Sequence, residues 1–283
     1  MRFAIVGGDE RSAILAGMFE KDGNKVKSFA LEKAKLPYES GCLQGCVYGA
    51  DCVILPIPAE KNGLLNCPLS DERLSMEELM DALWPQQMVL GGNLSREVLT
   101  QAQKESLFIR DIMKEPEFVV GNAVLTAEGA LKCLLEGGEN SLWQEKVLIL
   151  GWGRIAKLLT LRLMALGAKL CIGARNEESL AMARALGCEA VELSELEKII
   201  GSAKYIVNTI PARIISDSAL YCINSDTILL ELASLPGGFD RNLAENMGLN
   251  VRFAPGLPGK CAPYSAAKLM YQAVNKIINR WED

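Results

Sequence analysis

Two consecutive doubly wound α/β domains with parallel sheets, the second a Rossmann-type dinucleotide-binding domain, are the fold this sequence predicts. Three observations carry it. Short apolar runs alternate with helical apolar periodicity, the pattern of strands buried on both faces under crossover helices. The run VLIL (147–150) ends in GWGRIA (151–156), the GxGxxA form of the dinucleotide turn, and a helical pattern follows. That turn lies midway along the chain, so a separate domain precedes it. The division expected is 1–121 for a substrate-side α/β domain and 122–283 for the nucleotide domain, with a linker helix and a C-terminal helix. The apolar face of the last helix either dimerises or returns to the first domain.

Composition narrows the function classes. Hydrophobic residues make up 49% and charged residues 23% of 283, enough for full cores. A net charge of −5 without any Lys/Arg block argues against nucleic acid, whose phosphates need clustered cations. No stretch reads as the roughly 18 apolar residues of a bilayer span, and the apolar start at 1–6 is cut by Gly7 and Gly8, so no membrane and no targeting segment is expected. The nine cysteines, an odd and scattered set, suit reduced thiols and a cytoplasmic setting. With no histidine and no CxxC pair, no metal site is expected, and any chemistry runs without imidazole.

The elements follow in order. Residues 2–7 read as a buried strand, 12–22 as a helix, 51–58 as a strand ending in prolines, and 75–83 as a helix opened by a capping box of Ser75 and Glu78. Strands at 87–91 and 107–112 flank a helix at 95–104, and 122–136 reads as the linker helix. In the second half five strands are expected, at 147–150, 169–173, 205–209, 227–232 and 250–253. Helices fall at 154–166 and 177–186, a second capping box (Ser194, Glu197) opens 194–200, and a periodic helix closes the chain at 264–281.

The nucleotide turn has a physical job. Gly151 permits the tight strand-to-helix turn, Gly153 lets backbone approach a pyrophosphate, and Ala156 lets the helix pack close to the sheet. Trp152, Arg154 and Ile155 complete the turn and expose first-turn N–H groups. The bland alternative is a glycine turn in an α/β domain that binds nothing. The second strand ends Gly173-Ala174-Arg175-Asn176, with no carboxylate before Glu177. An arginine there can pair with a 2′-phosphate, so NADP is expected over NAD, with Asn176 as helix N-cap. Thr209-Ile210-Pro211 and, one strand on, Ala233 belong to the edge that borders ribose or nicotinamide.

Two loops are rich in glycine and proline: SLPGGFD (234–240) and APGLPGKCAP (254–263). Both follow strands on the ligand edge. Backbone N–H groups of Gly237, Gly238, Gly256 and Gly259 there could face an anion; the alternative is two ordinary turns. GLPGK lacks the spacing of a P-loop.

Over nearly its whole length the chain resembles the dipicolinate synthase A-subunit family. The marks are IVGGDER (5–11), VILPIP (53–58), TAEG (126–129), LGWGRIA (150–156), GAR (173–175), NTIP (208–211), LELASLPGGFD (230–240) and APGLPGKCAP (254–263), the last two being the most specific. The chain departs from the family at Tyr264, where a lysine is common, at Glu231 for an aspartate, and at Leu235 for an arginine. Ala123 and Leu125 replace a serine and a proline. These changes fall on the substrate side.

The resemblance implies a cleft between two domains and NADP as hydride acceptor. It implies a cyclic dicarboxylate, made from aspartate semialdehyde and pyruvate, as substrate, and pyridine-2,6-dicarboxylate as product, during spore formation. The implied partner is the flavoprotein-like B-subunit of dipicolinate synthase; a homo-oligomer is also expected. Arg11 and Lys260 are the cations on motif loops, with Asp9, Asn122, Thr126 and Ser234 beside them as substrate contacts and Arg213 as a further carboxylate partner. Glu128 is the first candidate for proton transfer and Tyr264 the second. The competing readings are a surface Glu128 and an Asp9–Arg11 pair that only braces a turn. Two alternatives stand for the whole chain: another hydroxy- or keto-acid or alanine-dehydrogenase-like oxidoreductase, or a non-catalytic NADP-binding component of a two-part synthase.

Overall fold

A computed structural model describes residues 1–138 and 140–282. The chain forms two compact units, 1–122 with 262–283 and 123–261; Asp283, at the end of the expected second domain, lies outside the described residues.

The first unit is built on a five-stranded parallel sheet. Its strands are β1 (Arg2–Val6), β2 (Lys25–Phe29), β3 (Cys52–Ile54), β6 (Met88–Gly91) and β7 (Phe108–Asp111), in the order β2-β1-β3-β6-β7. A small hairpin, β4 (Glu60–Lys61) and β5 (Leu64–Leu65), interrupts the series. Alternation along β1 explains why both faces are covered. Phe3 and Ile5 point into one core with Leu15 and Phe19 of α1 (Glu10–Lys21), and Phe3 stacks on Phe19 at 4.0 Å. Ala4 and Val6 point into the other, against α2 (Leu43–Val47), α3 (Met76–Asp81) and α4 (Arg96–Lys104). The expected capping box is present: the Ser75 hydroxyl accepts from Glu78 N–H, and Glu78 accepts from Ser75 N–H.

Helix α5 (Pro116–Leu135) starts earlier than the linker helix expected at 122 and runs across the unit boundary at Asn122. The expectation that no stretch is apolar and long enough to span a bilayer needs correcting here. By length and composition α5 qualifies, with a mean hydropathy of 1.5. Phe118, Ala123, Leu125, Ala127, Ala130 and Leu134 of this helix are buried in protein.

The second unit carries a six-stranded parallel sheet in the order β10-β9-β8-β11-β12-β13. The strands are β8 (Lys146–Leu150), β9 (Lys169–Ala174), β10 (Glu189–Glu192), β11 (Tyr205–Asn208), β12 (Ile228–Glu231) and β13 (Asn250–Phe253). This is the 3-2-1-4-5-6 arrangement, whose switch point lies at the carboxyl ends of β8 and β11. Val147 and Ile149 pack toward α5 and α6 (Arg154–Ala165), and Leu148 and Leu150 toward the opposite core. Helices α7 (Glu177–Ala185), α8 (Asp217–Tyr221), α9 (Arg241–Asn246) and α10 (Leu257–Cys261) complete the unit.

Three expectations change. The sheet has six strands, not five, because β10 (EAVE) joins its edge. The helix expected at 194–200 is 3-10 over Leu193–Lys198, because Ser194 donates to Glu192 and Glu197 instead accepts from Ser216 and Ser218. The loop expected at 254–263 winds into α10 after Gly256.

The last helix, α11 (Pro263–Glu282), belongs to the first unit. Ala267, Met270, Val274, Ile277 and Ile278 repeat at helical spacing and join the core of Phe3, Leu15 and Phe19. Each fully buried aliphatic side chain there contributes roughly 1.5–3 kcal/mol. Tyr271 also donates to Asp22 beyond α1, and Lys276 and Arg280 pair with Glu117 and Glu115. The apolar face that could have dimerised is therefore covered by its own chain.

Candidate functional site

The dinucleotide turn joins β8 to α6 at the switch point. Gly151 holds φ +105°, and a Cβ there would collide with the Thr209 hydroxyl, so only glycine fits. Thr209 is fixed in turn by donating to the Leu150 carbonyl at 2.7 Å. Gly153 is different. It is the N-cap of α6 at an ordinary φ of −78°, no side chain caps the helix, and a Cβ would meet nothing within 4 Å. Nothing in the protein itself calls for glycine at 153. Open space in front of an uncapped helix N-terminus is where a pyrophosphate fits, on free N–H groups and positive dipole. Ala156 is fully buried against the sheet. Trp152 turns its ring into the core beneath the turn, and its indole N–H is buried without a hydrogen-bond partner. Arg154 is exposed and Ile155 half-buried at the start of α6.

At the end of β9, Ala174 is buried and Arg175 is exposed. Asn176 caps α7 by accepting from Ser179 N–H at 2.8 Å, as expected. Glu177, the nearest carboxylate, pairs with Arg184 at 2.8 Å. Arg175 has no ion-pair partner among the described residues.

A buried network that the sequence did not reveal shapes the other two edge loops. Asn208 and Glu231 close β11 and β12 and are register partners. Asn208 Nδ2 donates to Glu231 Oε1 at 2.8 Å and to the Ile210 carbonyl at 2.9 Å, while Asn208 Oδ1 accepts from Ile210 N–H at 3.0 Å. Glu231 also accepts from Ala233 N–H and Gly238 N–H, both at 2.8 Å. Burial pushes the Glu231 carboxyl above its ordinary range, against the pull of these donors. The sequence signal was present in the strings NTIP and LELAS, but the pairing needs the register of two strands.

The expected role of several loop glycines as anion donors does not fit this geometry. Gly238 N–H goes to Glu231, Gly237 N–H to the Ser234 carbonyl, and Gly259 N–H to the Gly256 carbonyl. These glycines shape the loops; a Cβ at Gly238 would strike Asn208. Ser234, Pro211, Gly256 and Lys260 are at least partly exposed, and Arg213 pairs with Asp217 at 2.6 Å and Asp240 at 3.5 Å. Glu128 is exposed on α5 and pairs with Arg162 at 3.0 Å, while Thr126 is buried. Gly129, one residue on, lets α10 press against α5 through Leu257.

In the first unit, Asp9 caps α1 by accepting from Arg11 N–H at 3.1 Å. Its carboxylate also takes two donors of the Arg11 side chain at 2.8 Å, and Arg11 Nη2 donates to the Ile57 carbonyl at 2.5 Å. Arg11 is 6% exposed. The pair braces the β1–α1 turn, the competing reading for these residues. Asn122 is half-buried and Tyr264 is 65% exposed at the start of α11. All nine cysteines are free thiols, and no group of three potential metal ligands exists among the described residues.

A parallel unit with this strand order and open turn, joined to a second parallel α/β unit, defines a two-unit α/β fold whose second unit is of Rossmann type. L-alanine dehydrogenase (14% identity, TM-score 0.61, 98% of this chain and 89% of that one) and D-lactate dehydrogenase from Escherichia coli (13%, 0.64, 100% and 97%) share it. Within that class the resemblance is specific. Residues 2–113 match the family model of the dipicolinate synthase A-subunit N-terminal domain. The chain is 26% identical to the dipicolinate synthase A-subunit of Bacillus subtilis over 298 residues, covering 98% of this chain and 96% of the relative. It also superposes on the crystal structure of the dipicolinate synthase A-subunit from Bacillus halodurans with a TM-score of 0.84 at 25% identity, over 98% and 97% of the two chains.

Proposed function

We propose that this chain is the NADP-binding, oxidising subunit of a dipicolinate synthase. The observation that carries the reading is the open turn at Gly153 with the unpaired Arg175 at the end of the neighbouring strand. The substrate is 4-hydroxy-tetrahydrodipicolinate, the cyclic dicarboxylate from aspartate semialdehyde and pyruvate. Loss of water and a two-electron oxidation give pyridine-2,6-dicarboxylate. NADP⁺, when bound, supplies the hydride acceptor. Gain of aromaticity drives the reaction, so the chain's task is to hold a ring carbon in place and keep two carboxylates neutralised. The α6 N-terminus holds the pyrophosphate, Arg175 the 2′-phosphate, and the 209–211 loop borders the nicotinamide. Lys260 is the exposed cation on the motif loops for a substrate carboxylate, and Glu128 and Tyr264 are the groups available to move a proton. Partnership with the B-subunit, a cytoplasmic setting and a place in spore formation belong to the same reading.

The exposure of Glu128 and Tyr264 favours a second reading, in which the chain binds NADP and the chemistry needs its partner. One experiment separates them. The purified chain is mixed with NADP⁺ and freshly generated cyclic dicarboxylate, with and without the B-subunit, while nicotinamide reduction and pyridine dicarboxylate are followed together. Reduction that tracks product in the chain alone supports the oxidising role; reduction only when the partner is added supports the second reading. Product without any reduction contradicts the oxidising role and leaves the chain as a nucleotide-binding subunit.

A further inference from the structure

We propose that Glu231 is the positioning residue that presets both ligand-side loops of the nucleotide unit, 208–211 and 233–238, before any ligand arrives. The inference rests on the nucleotide-binding reading above and deepens it. Glu231 is 3% and Asn208 0% exposed, at the carboxyl ends of adjacent strands where ligands of this fold bind. One carboxylate takes every donor that faces it: Ala233 N–H and Asn208 Nδ2 on Oε1, Gly238 N–H and Asn208 Nδ2 on Oε2. Asn208 then passes the constraint on, holding Ile210 by both its N–H and its carbonyl. The far end of the second loop is pinned as well, because the Gly238 carbonyl accepts from Ile214 and Ile215 N–H at 2.9 Å each. Both loops thus share one side chain as an anchor.

The choice of residue is informative. A buried carboxylate without a cation is costly, and none of the influences on Glu231 is a charged partner. An apolar residue would suit the core between β11 and β12 better if packing were the only demand. A carboxylate accepts on both oxygens and donates from neither, so it alone matches four converging donor contacts. Glutamine would aim an NH₂ at one of those donors. Aspartate keeps the acceptors on a stem one carbon shorter, and Gly237, whose Cβ would come within 3.3 Å of Glu231 Oε2, leaves room for the loop to follow.

The test uses Glu231→Gln and Glu231→Asp in the full chain, with NADPH as the titrant and amide hydrogen exchange as a second readout. Glu231→Gln is expected to weaken NADPH binding roughly tenfold or more, the usual effect of leaving buried donors unsatisfied, and Glu231→Asp to recover most of it. In the unliganded wild type, the amides of Ile210, Ala233 and Gly238 are expected to be protected like those of β11 and β12. In Glu231→Gln those three alone lose protection. Equal NADPH affinity in wild type and Glu231→Gln overturns the proposal, as does an aspartate variant no better than the glutamine one. Unprotected loop amides in the unliganded wild type also overturn it, even if no variant folds. A wild type that fails to bind NADPH would sink the nucleotide reading instead, while the exchange pattern would still decide the positioning role.

Discussion

The molecule contains the same strand–glycine–helix turn twice, and the two copies have opposite fates. After β1, Gly7 and Gly8 at φ +70° and +113° lead into α1, and after β8, Gly151 at +105° leads into α6. In the first turn the protein fills its own site. A Cβ at Gly7 would meet Cys67 Sγ at 2.6 Å, Ser12 fills the space beside Gly8, and the Asp9 carboxylate sits on the N-terminus of α1 with Arg11 clamped to it. In the second turn the N-cap is a glycine, no side chain caps the helix, and the space ahead is open. A parallel α/β unit therefore does not bind an anion by virtue of its fold. On the proposed reading, binding depends on whether an internal carboxylate already satisfies the first-turn N–H groups.

The largest effect is expected from giving the second turn the cap of the first. Gly153→Asp should fold, because its Cβ meets nothing within 4 Å, and it should place a carboxylate where a phosphate would sit. NADPH affinity by calorimetry is expected to fall by roughly 100-fold or more, since the anion site is both occupied and repelling. The reverse change, Asp9→Ala, removes the cap and strands a buried guanidinium. The chain should lose about 2–3 kcal/mol of stability in urea, with NADPH affinity per folded molecule unchanged. A smaller effect is expected from Arg175→Glu. It should weaken NADPH binding about 10- to 100-fold and leave NADH within a few-fold, as loss of a charge-assisted contact to the 2′-phosphate requires. Equal losses for both cofactors would remove Arg175 from that role.

The smallest effect lies at the other end of β1. Arg2 holds the Asp51 carboxyl below its ordinary range, chiefly through a hydrogen bond. A depressed carboxyl stabilises the fold above its unfolded value, and that contribution is lost as pH falls through the folded value. Asp51→Asn should therefore flatten the acid side of the melting-temperature profile slightly and leave the shape of the neutral side alone. A flattened neutral side would contradict the assignment.

What could be read from the sequence, and what could not, divides along the same physical line. Local signals succeeded: Ser75 and Glu78 form their box, Asn176 caps α7, and Gly151 sits where only glycine fits. Signals that depend on distant partners failed. The Ser194–Glu197 box never forms because Glu197 is drawn to Ser216 and Ser218, about one strand away in the chain. β2 (KVKSF) and β10 (EAVE) are edge strands whose mixed burial hides their period. The Asp9–Arg11 pair was legible as two charges, but its burial against Ile57, which makes it a brace, was not. Glu231 read only as a departure from the family, since its partners Asn208 and Gly238 are joined to it by sheet register and loop return.

Whether the open turn at Gly153 holds the nucleotide is decided by a calorimetric titration of NADPH into the wild-type chain and Gly153→Asp under identical conditions. Saturable one-site binding to the wild type is expected, with its near-complete loss in a variant whose melting temperature is unchanged. Wild-type affinity in Gly153→Asp would contradict it, because the nucleotide would then lie somewhere other than the open turn.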